Sequence, residues 1–201
     1  MNPECALIVG KTNSGKTKWI LDLLQTKYKD VFENIVIVCP TVSKYQTWVS
    51  HHWVLMDPGV FLVDLYVWGL GLNQALDVFT QVFELEPTLF IDDCSATQDV
   101  KYCKSSNGVC ALSYMAFSGR HDNHSCWLLT QKYNSVVKEY RENTAWVAMF
   151  YCKDKTSFDQ CLDENDVVPA ECRQKIKDPL RHKKYSKLVI KTEPPISYEV
   201  L

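Results

Sequence analysis

The chain lacks any long apolar run. Nowhere do about eighteen apolar residues follow one another, so no membrane-spanning helix and no membrane partner are expected. It also carries little net charge. A formal −2 over 201 residues excludes a polybasic nucleic-acid coat and confines any DNA contact to a local patch. Arginine is scarce. Arg120, Arg141, Arg173 and Arg181 are too few for the arginine-rich lid with which many small-molecule kinases clamp two nucleotides. Nine cysteines are present but no C-x-x-C pair, so zinc-ribbon spacing is missing. Reduced, buried thiols are the expectation. A zinc site from Cys103, Cys110 and His121 or His124 is the competing reading. No N-K-x-D occurs for guanine, and Asp92 is not followed by the x-x-Gly of a GTPase switch loop. The chain runs straight into an apolar strand with no room for a leader, so an intracellular setting is expected.

What is present is sharper. Gly10-Lys11-Thr12-Asn13-Ser14-Gly15-Lys16-Thr17 matches G-x-x-x-x-G-K-[ST] in full. Ala6-Leu7-Ile8-Val9 before it suits a buried parallel strand. Trp19, Ile20, Leu23 and Leu24 after it recur at helical spacing. Strand, loop and helix start together favour phosphate, because backbone N–H groups and the helix dipole converge there. In that setting Lys16 reaches the β- and γ-phosphates and the Thr17 hydroxyl serves Mg²⁺.

Further strands are expected at Asn34–Cys39, Val60–Asp64, Thr88–Ile91, Cys126–Thr130 and Ala145–Tyr151. Leu72, Ala75, Leu76, Phe79, Val82 and Phe83 form a 3.6-residue stripe, stopped by Pro87. Helices are expected at Thr41–Val54, Gly108–Phe117, Ser135–Arg141 and Asp154–Asp163, with a polar loop at Ser95–Asn107. Two short strands, Lys187–Lys191 and Ile196–Val200, flank Pro194-Pro195. The alternation predicts a three-layer α/β P-loop domain over 1–165 with a mostly parallel sheet, and a small C-terminal β appendage over 166–201.

Leu89-Phe90-Ile91-Asp92-Asp93 delivers two carboxylates at a strand's C-terminal end, where open parallel sheets bind ligands. Asp92 suits the carboxylate that holds Mg²⁺ through water, and Asp93 the base that orients the attacking water. The long interval between Thr17 and Asp92 leaves room for an extra strand between the loop strand and the acidic strand. In that class a polar sensor ends the next strand, and Gln131 sits there. Arg120 and Arg141 each precede a strand. Either is a candidate for insertion into a neighbouring subunit's site, against the plainer reading of a surface ion pair.

These motifs in this order resemble the viral genome-packaging ATPases of the FtsK–HerA superfamily, of the poxvirus, virophage and Maverick/Polinton type. The resemblance rests on Ile8–Thr17, Ile35–Thr41, Leu89–Asp93, Phe117–Ser125, Leu128–Gln131, Arg141-Glu142-Asn143 and Phe150, and covers roughly residues 5–152. It implies ATP and Mg²⁺ as cofactors and a homo-oligomeric ring of five or six subunits. It also implies double-stranded DNA and a capsid or portal component as partners, and action at virus assembly sites in the host cytoplasm or nucleus, or in the virion. It implies that Arg120 or Arg141 is the arginine supplied in trans. Asp93 stands where much of the superfamily has Glu.

For DNA, the run Arg181–Lys191 carries five Lys/Arg and no acid, which suits phosphate neutralisation or simply a solvated hairpin. Lys101 and Lys104 are candidates for a pore-facing loop. Trp48, Trp53 and Trp68 are candidates for exposed subunit contacts. Two other functions stay open: a nucleoside or nucleotide kinase, and an assembly protein that binds ATP without turning it over.

Overall fold

A computed structural model describes residues 3–40, 42–44, 46–82, 88–94, 100, 110–119 and 121–201. One eight-stranded sheet runs through it, in the order β3-β2-β4-β5-β1-β6-β7-β8. The strands are β1 (Cys5–Val9), β2 (Ile35–Cys39), β3 (Val60–Asp64), β4 (Thr88–Ile91), β5 (Ser125–Thr130), β6 (Trp146–Phe150), β7 (Lys187–Lys191) and β8 (Ser197–Val200). The first six are mutually parallel, whereas β7 pairs antiparallel with β6, and β8 with β7.

The central strands are apolar on both faces because both faces are covered. Cys5, Leu7 and Val9 of β1 face one core, and Ala6 and Ile8 face the other. The second core lies beneath α1 (Lys16–Gln25), α2 (Gln46–Val49) and α3 (His52–Met56). Its aromatic centre joins Phe90, Trp127 and Trp146 edge to face, with centroids 4.8–5.2 Å apart. After the short α4 (Leu65–Trp68), the other layer comprises α5 (Leu72–Val82), α6 (Ala111–Phe117), α7 (Lys138–Glu142), α8 (Lys155–Asn165) and α9 (Ala170–His182).

Three local expectations change. The stretch 41–54 is not one helix but a 3-10 turn, α2 and α3, broken at His51, whose backbone is extended. This break lets α2 turn Trp48 into the core, fully buried, so Trp48 is not an exposed subunit contact. Trp53 is half-buried, and Trp68 is 50% exposed beside the exposed Tyr66 and Val67. The C-terminal segment contains α9, a helix that Pro179 hides from sequence periodicity, and its two strands continue the main sheet at the β6 edge. Finally, Cys110 is disulfide-bonded, against the expectation of reduced thiols, and so is not a thiolate zinc ligand. Cys5, Cys39, Cys94, Cys126, Cys152, Cys161 and Cys172 are free. Lys101, Lys104, Cys103, Arg120 and nearly all of the Ser95–Asn107 loop lie outside the described residues.

Candidate nucleotide site

The strand order decides the geometry. β5 lies between β1 and β4, hydrogen-bonded to both, so the loop strand and the acidic strand are separated by the strand that ends in Thr130-Gln131. All three are parallel and open their C-terminal ends on the same side. Gly10 N donates to the Thr130 carbonyl (3.1 Å) and Lys11 N to the Tyr151 carbonyl (3.1 Å), tying the loop to the strand ends on both sides.

The loop needs its glycines for different reasons. Gly10 is packed so closely that a Cβ there would lie 2.6 Å from both Phe150 Cβ and Ser14 Oγ. Gly15 turns into α1 with φ of 96°, a left-handed conformation that side chains resist. Asn13, with φ of 61°, is the other left-handed residue of the loop and among the types that tolerate it.

Inside this turn the Lys16 ammonium donates to the carbonyls of Gly10 (2.8 Å) and Lys11 (3.4 Å). Burial pushes its pKa down, and the carboxylates of Asp92 and Asp93 oppose that. Thr17 Oγ1 donates to Asp92 Oδ2 at 2.8 Å. Burial pushes the Asp92 carboxyl above its ordinary range, against the hydrogen bonds from Thr17 and Trp48 and the charge of Lys16. Gln131 Nε2 donates to Asp93 Oδ1 at 3.3 Å, and both side chains are exposed. A cleft of about 40 Å³ lies among Thr12, Lys16, Asp92, Asp93 and Gln131.

A hydroxyl and a carboxylate in contact fit Mg²⁺, which takes few protein ligands and keeps most of its waters. Among the described residues no three His, Cys, Asp or Glu side chains gather as a metal-binding group.

Trp48 is the functional residue that sequence reading missed. Its Nε1 donates to the same Asp92 Oδ2 at 2.9 Å, fully buried. Only its type was a signal: a buried indole needs an acceptor for its N–H. Trp48→Phe keeps the ring and removes that donor. Partners of this kind typically tune metal affinity by about 10–100-fold. We therefore expect Mg²⁺-dependent nucleotide binding to weaken at least tenfold by calorimetry, with Mg²⁺-free binding unchanged.

Arg141 is placed elsewhere. It is buried at 8% exposure, its Nε donates to the Val136 carbonyl (3.1 Å), and its guanidinium stacks over the Tyr133 ring and pairs with Glu164. Its Nε and one Nη1 donor are used within the chain, and the pair with Glu164 joins α7 to α8. Partial burial pushes Glu164 up, but hydrogen bonds from Gln160, Arg141 and Tyr133 outweigh it and hold the carboxyl below its ordinary value. A depressed carboxylate stabilises the fold above its unfolded pKa and loses that contribution as the pH falls through the folded one. Glu164→Gln should therefore lower the melting temperature at neutral pH, and the difference from the parent should shrink in acid.

No protein-family profile and no curated protein matches the sequence. Solved structures do. The genome packaging NTPase B204 of Sulfolobus turreted icosahedral virus 2, in complex with AMP, aligns with 100% of this chain and 97% of its own at 13% identity, with a TM-score of 0.70. Its complex with AMPPCP aligns equally fully at 15% identity and 0.69. The chain has the fold of a viral genome-packaging NTPase. The cytoplasmic domain of the Thermomonospora curvata type VII secretion ATPase EccC is a more distant likeness, at 12% identity and 0.57 over 97% of this chain and 25% of its own.

Proposed function

We propose that this chain is a Mg²⁺-dependent ATPase that works as a homo-oligomeric ring and drives double-stranded DNA into a viral capsid. The observation that carries the reading is the meeting of Lys16, Thr17–Asp92 and Asp93–Gln131 at one sheet end, with β5 between the loop strand and the acidic strand. The full-length fold likeness to a packaging NTPase supports the choice of cargo.

The loop amides and Lys16 stabilise negative charge on the β- and γ-phosphates. Thr17 and Asp92 hold Mg²⁺, which when bound neutralises charge on the same oxygens. Asp93 orients the attacking water and accepts its proton, while Gln131, bonded to Asp93, contacts the γ-phosphate or that water. ATP and water become ADP and phosphate. Because Arg141 is occupied within its own chain, Arg120 is the arginine we assign to the neighbour's site. It falls just ahead of the strand that carries Gln131.

Phosphate release from ATP, with and without double-stranded DNA and across protein concentration, tests this. Turnover should rise with DNA and with concentration, and Arg120→Ala should lower it by about 10³-fold, the low end for an arginine supplied to a phosphoryl-transfer site. Turnover that ignores both DNA and concentration would sink the motor reading.

A further inference from the structure

The basic run that ends α9 and enters β7 does not stand alone. Phe150 and Lys187 are paired across β6 and β7, so residues 151–153, leaving β6, and 183–186, entering β7, emerge together at the phosphate-loop end of the sheet. Lys11 N donates to the Tyr151 carbonyl. The Tyr185 ring packs against Gly15, where a Cβ would fall 2.6 Å from Tyr185 Cδ1.

Cations from three parts of the chain gather at this end. Lys153 and Lys155 stand at the start of α8 and Arg181 at the end of α9, and all three line one hollow of about 330 Å³. Lys183 and Lys184 follow on the way into β7. Lys18 comes from the first turn of α1, and its charge acts on Tyr185. All six residues are exposed, and none forms an ion pair among the described residues. The nearby carboxylates are turned to other partners. Asp154 caps α8 and accepts from Asn134, Thr156 and Ser157. Asp159 pairs with Lys177, Asp178 accepts from Gln174, and Asp22 acts on Lys187. A hydrogen bond from Lys184, then the charges of Lys184 and Lys18, hold the Tyr185 phenol below its ordinary pKa, as a positive local field does. The whole chain has a formal charge of −2, so this is a local excess of one sign.

The composition of the surface says what it fits. Five of the six cations are lysines, flexible point charges without the planar fork that matches one particular acceptor. Cores of protein–protein interfaces are depleted in lysine and built around buried apolar anchors. Tyr185, the exposed aromatic among these cations, is already held against Gly15 and Lys184. A duplex backbone asks for the opposite of such a core: many phosphates, contacted without regard to the bases between them.

We propose that this basic end of the sheet holds the phosphate backbone of double-stranded DNA without reading its sequence. The proposal rests on the packaging reading above and adds the surface that meets the cargo. Tyr151 and Tyr185 connect that surface to the phosphate loop, so DNA and nucleotide occupy the same end of one subunit.

Fluorescence anisotropy across salt concentration, on two duplexes of unrelated sequence, tests it. Arg181→Gln, Lys183→Gln and Lys184→Gln together should lower the slope of log affinity against log salt by about three for each subunit on the DNA. The fall should be equal on both duplexes, with Mg·ATP affinity and melting temperature unchanged. Lys27→Gln, Lys29→Gln and Lys191→Gln together remove the same charge from the opposite end of the sheet and should leave the slope at the parent's value. No fall in the first triple variant, or an equal fall in both, would overturn the surface and leave the packaging reading standing. A first variant that sediments as a smaller species than the parent would make this a contact between copies and overturn the proposal too. If the parent binds neither duplex, the packaging reading fails and the surface with it.

Discussion

Replacing Lys16 by alanine should abolish ATP turnover, with a loss of at least about 10³-fold, while leaving the fold as stable as before. The two halves of that expectation have separate causes. Loss of activity follows from position: the loop encloses the ammonium, two backbone carbonyls aim it, and two carboxylates lie near it. Retained stability follows from the sign of its pKa shift. A lysine whose pKa is pushed down by burial is protonated at a cost in the folded state, so the unfolded chain binds the proton more readily and stability rises with pH. Removing such a group relieves the cost and forfeits two hydrogen bonds to the loop. We expect a melting temperature no lower than the parent's, and a parent that gains more stability than the variant as the pH rises toward the lysine range. Paired thermal melts and phosphate-release assays check both. A variant that melts well below the parent would mean Lys16 is structural, and its inactivity would say nothing about phosphate.

Asp93→Asn should be nearly as damaging to turnover and yet leave ATP binding intact. Asp93 has φ of 55°, a left-handed conformation that asparagine adopts as readily as aspartate, so the backbone has no reason to move. The asparagine carbonyl still accepts from Gln131 Nε2, preserving that contact. Only the proton-accepting carboxylate disappears. General-base catalysis is worth about 10²–10⁴-fold, and that is the loss expected in single-turnover hydrolysis. ATP affinity should stay within a factor of about two, because the carboxylate repels the γ-phosphate rather than binding it. An assembly protein that binds ATP without turnover would show no change at all, so the same assay separates that alternative. A kinase would move phosphate to an acceptor rather than to water.

Much of this site was legible because it is local. The eight-residue loop, the apolar strand before it and the helix after it are contiguous, and their conformations follow from glycine, from β-branched runs and from helical spacing. Asp92-Asp93 and Gln131 were legible for a related reason: each ends an apolar strand, and parallel strands end together. The interval between Thr17 and Asp92 holds β2 and β3, whereas the strand that lies between loop and acid in the sheet is β5, which follows Asp92 in the chain. Less visible were α9, which contains Pro179 and few apolar residues, and the docking of β7 on β6, because a short amphipathic strand does not announce its neighbour.

Sequence alone determined the Gly10–Thr17 loop, the adjacent Asp92 and Asp93, the strand-end Gln131 and the alternation that makes a three-layer α/β sheet. Tertiary structure alone decided which side chains meet. Trp48 lies 44 residues from the carboxylate it supports, Arg141 is drawn inward by Glu164 on α8, and Tyr185 reaches Gly15 from near the C-terminal end. Periodicity tells which face of an element is apolar. It does not tell which polar group on that face will find a partner, because that depends on strand order and on where a helix breaks. Those are settled only when the whole core closes.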